Sequence, residues 1–245
     1  MNALGRSAFA RSLAEWGSQW PACRALLLVS AHWRAPRAQL TGSARPETVH
    51  DFFGFPEELY LLRYPAPGDP ELARHVADLL SKAGFDAAVD ERRGLDHGAW
   101  APLLMAVPDA RLPVVQLSLL RASPARHVEL GAALAPLRRE GVLIVGSGNL
   151  VHNLGTAVME DVGAPVEAWS HEFDQWVAER LLAGDHAALA DYQARHRFGA
   201  RSHPTDEHYL PALVAAGAAG PGARVSFPVE GFEHGTLSLR CARFE

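Results

Sequence analysis

The sequence predicts an α/β fold in a single domain spanning residues 1–245, with a mostly parallel or mixed central sheet flanked by helices. Three observations predict it. Short, largely apolar runs at 24–30, 113–119 and 141–146 have the pattern of strands buried on both faces. The segments between them carry helical spacing and cap-and-proline starts, and strands alternating with helices favour a parallel or mixed sheet. A length of 245 residues, with 48% hydrophobic and 21% charged, suits one large domain with a sizeable core. The same composition argues against a disordered, collagen-like or coiled-coil chain.

In chain order, 7–16 reads as a helix, with Phe9, Leu13 and Trp16 at three- and four-residue spacing. Residues 24–30 are a buried strand ended by Ala31, His32 and Trp33, and 39–41 a second, short one. The stretch 50–70 carries Gly54, Pro56, Pro65, Pro67, Gly68 and Pro70, which forbids a long helix and implies an ordered loop. Asp69 as cap and Pro70 at the first position open a helix that runs to about residue 83, before Gly84. Residues 85–89 are strand-like, 94–98 a turn and 100–106 a short helix. After the strand at 113–119, Ser123 and Pro124 start another helix. The strand at 141–146 runs into Gly148, Asn149, His152 and Asn153. Helices at 165–182 and 205–215, then strands at 224–227 and 236–242, complete the chain.

Several function classes lose their usual marks. Lys and Arg number 23 against 28 Asp and Glu, a net charge of -5, with no basic run to serve as a nucleic-acid footprint. The apolar stretch 25–29 is too short to span a bilayer, and no export signal is read at the N-terminus. Cys23 and Cys241 are too few for a disulfide framework or an all-thiolate zinc site, so a cytoplasmic protein is the default. There is no nucleophile elbow, Walker loop or dinucleotide fingerprint.

The informative count is 12 histidines, several beside Gly, Asn, Pro or Trp at the ends of apolar runs. Imidazole ligates Zn and Fe and titrates near neutrality, with an ordinary pKa of about 6.5. Ligands in α/β sheets bind beyond the carboxyl ends of strands. Two strong strands lead there into histidines, His32 and His152. Each motif has a plainer reading. His32 fits a strand-end residue bonding a neighbouring carbonyl as well as a ligand walled by Trp33. Asn149 fits a helix cap as well as an orienting group for His152. In the 203–211 segment, Asp206 and Glu207 suit a helix start, which leaves His208 unexplained, with Glu207 and His208 in the first helical turn. His97, between Asp96 and Gly98, reads by residue type as a surface turn ahead of a catalytic group. The loop with His50, Phe52, Phe53 and Phe55 reads equally as a structural anchor or as an apolar pocket with one polar group. Trp16, Phe173 and Trp176 are most simply core. Together the histidine motifs suggest a mononuclear metal site with imidazoles drawn from distant segments.

Laid out in order, SAHW at 30–33, TVHDFFGFPEELYLLRYPAPGDP at 48–70 and GLDHGAWAPLLMAVPDA at 94–110 resemble the class III, LigB-type extradiol ring-cleavage dioxygenases. PVVQLSL at 113–119, GSGNLVHNL at 146–154, HPTDEHYLPAL at 203–213 and PVEGFEHGTLSLR at 228–240 extend the likeness, which is greatest to the DOPA-dioxygenase subgroup. The resemblance implies one divalent metal, Fe(II) for catalysis or zinc as bound, held by His32, His152 and His208. It implies His97 as an acid/base beside the metal, and a small catechol and O2 as substrates. His50, Phe53 and His203 are the further candidates for substrate contact. Catechol deprotonation, and protonation of the leaving oxygen, call for a group titrating near neutrality, which suits His97.

The sequence departs from the family at its start. Family members begin with an apolar strand ending in a GHGSP-like motif, followed by a segment much like Met1-Asn2-Ala3-Leu4. No histidine precedes His32 here, so one family ligand and the first strand are unmatched. Either the recorded start is an internal Met of a longer gene, the favoured reading because everything downstream fits, or the metal site is depleted. In the second case metal affinity and turnover fall, and each buried backbone group left by the strand costs about 1–3 kcal/mol. A non-catalytic zinc- or ligand-binding relative is the alternative function. A zinc hydrolase is a third, with Glu207 as its sole candidate base.

Overall fold

The computed structural model describes residues 4, 5 and 7–245. Met1, Asn2 and Ala3, part of the segment compared with the family's start, lie outside the described residues. Two compact units emerge: Met1–Arg121 with Pro136–Ser147, and Ala122–Ala135 with Gly148–Glu245.

The first unit holds the five-stranded sheet, in the order β3-β2-β4-β1-β5. Its strands are β1 (Ala25–Ala35), β2 (Ala38–Thr41), β3 (Ala87–Asp90), β4 (Val114–Leu120) and β5 (Val142–Ser147). β1 runs parallel to both β4 and β5, β2 is parallel to β3, and β2 meets β4 antiparallel. The sheet is therefore mixed and mostly parallel, as the apolar runs predict. All of β4 and the first seven residues of β1 are buried, which is why neither sequence alternates.

Around the sheet lie α1 (Ala8–Ser18), α2 (Glu57–Leu61), α3 (Pro70–Lys82) and α4 (His97–Ala106). α3 starts as predicted, with the Asp69 carboxylate accepting from Leu72 N–H. Gly84, at φ 81°, takes the left-handed turn that stops it. Leu26, Leu28, Tyr64, Leu95, Trp100, Leu103 and Val114 form a buried core, and Ala10 and Leu13 of α1 pack on Met105 and Ala106. The loop at 50–70 is ordered as expected, with only the five-residue α2 inside it.

Four elements differ from expectation; the last of them, the strand read at 236–242, is two, Leu237–Ser238 and Cys241–Phe244. β1 does not end at Ser30 but runs through His32 to Ala35. Pairing with β5 stops at Ser30, and between Val29 and Arg34 the register to β4 slips, five steps on β1 against two on β4. The slip releases Ser30–Trp33 from the ladder with β4, as a bulge does, while Ser30 still pairs with Ser147 of β5. α4 begins at His97, not at Trp100, because Asp96 caps it by accepting from Ala99 N–H.

The third difference lies in the second unit, where α10 (Leu210–Ala219) starts five residues later than predicted. Pro211 explains the start: it is tolerated in a first turn but would break a helix already under way from residue 205. Glu207 and His208 consequently precede the helix. This unit also contains α5 (Pro124–Leu134), capped by Ser123 as predicted, and α6 (Ala168–Leu182). The short α7 (His186–Ala190), α8 (Tyr192–Arg195) and α9 (Gly199–Ser202) complete its helices. Its strands form two ribbons, β6 (Val225–Val229) with β9 (Cys241–Phe244) and β7 (Phe232–Glu233) with β8 (Leu237–Ser238). α5 and α10 touch at glycines: a Cβ on Gly131 would lie 2.1 Å from the Val214 carbonyl oxygen, and one on Gly217 2.2 Å from that of Val128.

Candidate functional site

In the first unit, the slipped segment of β1, the 50–62 loop and the start of α4 meet. Asp96 is fully buried and anchors the last of these: its Oδ2 accepts from Gln116 Nε2 at 2.5 Å, while its own N–H donates to Gln116 Oε1 at 3.2 Å. His97 is thereby fixed as the first residue of α4, and not a residue of a surface turn. Gly98 follows, and it has to be glycine: a Cβ there would meet Ser30 Oγ at 2.3 Å and His32 Cδ2 at 2.8 Å. That close approach brings the His32 and His97 rings to 3.9 Å between centroids, tilted by 39°.

Asp51 completes the group. A single oxygen, Oδ1, accepts from the His97 main-chain N–H and from Nδ1 of its ring, both at 2.9 Å. Burial pushes the Asp51 carboxyl up, but the two hydrogen bonds and the nearby charge of His97 outweigh it and hold the pKa down at about 2. Donor atoms of His32, Asp51 and His97 all lie within 4.8 Å of one another. Imidazole and carboxylate together are a donor set suited to a first-row divalent metal, so the chemistry of the residues fits one. Phe52 stands edge-on to His97 at 5.4 Å, and Trp100 donates its indole N–H to the Val49 carbonyl at 2.8 Å, holding the base of the loop. Trp33 is buried under the Arg93 guanidinium, 4.6 Å from its ring centre.

In the second unit, the His152 and His208 rings stack at 3.5 Å between centroids and 2° between planes. Gly148 makes it possible, since a Cβ there would lie 2.1 Å from the His208 carbonyl oxygen, which accepts from Asn149 N–H at 2.9 Å. Asn149 caps no helix; its amide donates to the Ser238 carbonyl at 2.8 Å, and that of Asn153 to Arg201 at 2.6 Å.

The model of the catalytic LigB subunit of aromatic ring-opening dioxygenases matches residues 6–244. The chain belongs to the LigB family. Among curated relatives of this LigB chain, an Escherichia coli (strain K12) protein named 4,5-DOPA dioxygenase extradiol is 41% identical over 98% of this chain and 89% of that one. A Beta vulgaris protein of the same name is 39% identical over 90% of this chain and 82% of its own. A solved structure of an uncharacterized protein from Escherichia coli K12 superposes with a TM-score of 0.82 at 36% identity, covering 96% of this chain and 92% of that one. The family's enzymes open aromatic rings, and this LigB chain is read as an enzyme of that kind.

The remaining sequence candidates sit in differing surroundings. His50 is half-buried, and its Nε2 donates to the Leu62 carbonyl at 3.1 Å, tying the two ends of the loop. Phe53 points to solvent at 89% exposure, so within this LigB loop it is Phe52 that flanks His97. His203 is fully buried, donates from Nε2 to the Leu150 carbonyl at 2.9 Å, and is ringed by Phe173, Tyr192 and Tyr209. Burial lowers its pKa to about 4, which makes it a neutral imidazole of the core with no face open to a substrate. Sequence reasoning missed Asp51. Its one signal was a carboxylate inside the aromatic motif, and nothing in a separation of 46 residues joins it to His97.

Proposed function

We propose that this chain is a metal-dependent extradiol dioxygenase that inserts O2 into a small, DOPA-like catechol and opens the ring beside its hydroxyl pair. The observation that carries the reading is the His32–His97 contact, a ligand-type imidazole against one whose Nδ1 is already committed to a carboxylate. The metal ligands are assigned by motif to His32, His152 and His208. An Fe(II) with open positions, when bound, supplies one centre at which both catechol oxygens and O2 meet.

His97 handles protons. With Nδ1 engaged by Asp51, the nitrogen left for the substrate is Nε2, which takes a catechol proton and returns it to the leaving oxygen. The Phe52 ring supplies an apolar face beside His97 for the flat substrate, with His50 holding the loop in shape and Phe53 at its outer rim. The single catalytic domain expected over 1–245 is supported by a family match that runs from 6 to 244. A cytoplasmic setting is proposed on the two free thiols, Cys23 and Cys241. Among the described residues, no helix is long and apolar enough to cross a membrane.

The deciding experiment loads the protein with Fe(II) under anaerobic conditions, adds a catechol and admits air. Oxygen uptake with a yellow ring-opened product is expected. Tight zinc binding with no uptake after iron loading would replace this reading with that of a non-catalytic metal-binding relative.

A further inference from the structure

We infer that Asp51 is a positioning residue, holding His97 in the Nδ1–H tautomer and so keeping its Nε2 lone pair available for the substrate proton. The inference rests on the reading of His97 as the acid/base, and it adds a residue that the histidine motifs do not assign. Its basis is the double contact on one oxygen. Oδ1 of Asp51 accepts from the His97 main chain and from its ring, both at 2.9 Å. Those donors belong to one residue, so the carboxylate fixes ring rotation as well as tautomer. In a neutral imidazole only one nitrogen carries a proton, and the acceptor beside it decides which.

The surroundings leave the ring little other freedom. Phe52, adjacent to Asp51 in the chain, stands edge-on to the His97 ring at 5.4 Å, and the His32 ring covers it at 3.9 Å. His97 itself is pinned by the buried Asp96 cap and by Gly98 against Ser30. Asp51 also sits in the aromatic loop, so the same bond ties the loop that would meet the catechol to the group that would take its proton. A competing use of the three side chains is a metal site of His32, Asp51 and His97. The test separates the two.

The experiment compares the wild type with Asp51→Ala and Asp51→Asn in the full chain. Imidazole nitrogen spectra of the ¹⁵N-histidine, zinc-loaded protein, with His97 assigned by its loss in His97→Gln, should show Nδ1–H in the wild type. Asp51→Ala should move His97 toward Nε2–H. With Fe(II) and a catechol, Asp51→Ala should lower kcat about 10–100-fold, the usual effect of removing such a supporting partner. KM and bound metal should stay near the wild-type values. Asp51→Asn keeps an acceptor oxygen and should recover most of the tautomer and the rate, which a general loss of folding would not allow. A wild-type His97 protonated on Nε2, an unchanged kcat in Asp51→Ala, or metal lost in step with rate would each overturn the inference. Absence of ring opening in the wild type would instead overturn the proposed function, and the tautomer measurement would still judge the role of Asp51.

Discussion

The histidine pair of the first unit and that of the second are built on different physics. His32 and His97 meet at a tilt, with a carboxylate on one ring nitrogen and an aromatic ring alongside. His152 and His208 lie face to face, 2° from parallel, with a glycine beneath their segments. A ring whose proton is steered by a carboxylate is equipped for proton transfer. A flat stack of imidazoles presents ring nitrogens of the kind that ligate metals. Residue type alone treats all four alike; the structure adds the partner of each ring, a carboxylate for His97 and a parallel imidazole for His152 and His208.

The largest expected effect tests that distinction directly. His152→Ala and His208→Ala should lose bound metal and oxygen uptake together, measured by metal analysis and an oxygen electrode. Retained metal in either would break the assignment. His97→Ala should keep its metal while kcat falls about 10²–10⁴-fold, the usual share of general acid–base catalysis.

A fifth histidine, His203, sharpens the contrast, because it is walled into the core. Its pKa is lowered from 6.5 to about 4 by burial, so below about 6.5 the unfolded chain takes up a proton that the folded chain refuses. Stability from this site is complete above pH 6.5 and falls as pH drops toward 4, by about 3 kcal/mol in all. Denaturant midpoints across that range should show the loss, and His203→Gln, which keeps a donor for the Leu150 carbonyl, should flatten it.

Gly98→Ala and Gly148→Ala place a methyl against Ser30 Oγ and the His208 carbonyl respectively, and overpacking of this kind costs about 1–3 kcal/mol. Both should lower stability in urea, Gly148→Ala more, since a carbonyl in a bonded loop yields less than a hydroxyl. Smallest of all, Phe53→Ser at an 89% exposed position should shift stability by less than about 0.5 kcal/mol, whereas Phe52→Ala should raise KM for the catechol.

Much of the fold was legible because its signals are local. The runs of β1 and β4 are apolar and buried on both faces, whereas β5, read the same way, is a strand at the sheet edge with only Val142 buried, and the starts of α3 and α5 are written as Asp69-Pro70 and Ser123-Pro124. Where two local signals competed, reading failed. Pro204 and Thr205 resemble a helix entrance, yet Pro211 sets the start of α10 at Leu210. Asp96 caps α4 at His97 because it is buried on Gln116, a partner 20 residues away that no window includes. The short α7–α9 lack the length for a periodic signal.

By itself, the sequence determined the α/β class, the family and the candidate histidines of the site. Backbone preference, burial periodicity and short motifs are all encoded within a few residues of one another. Tertiary structure alone decided what surrounds each ring: that His203 is walled in by aromatic side chains, that Phe52 and not Phe53 faces His97, and that Asp51 grips His97. The protonation and direction of an imidazole depend on which donor, acceptor or charge lies within a few ångströms, and that neighbour is supplied by chain closure over tens of residues.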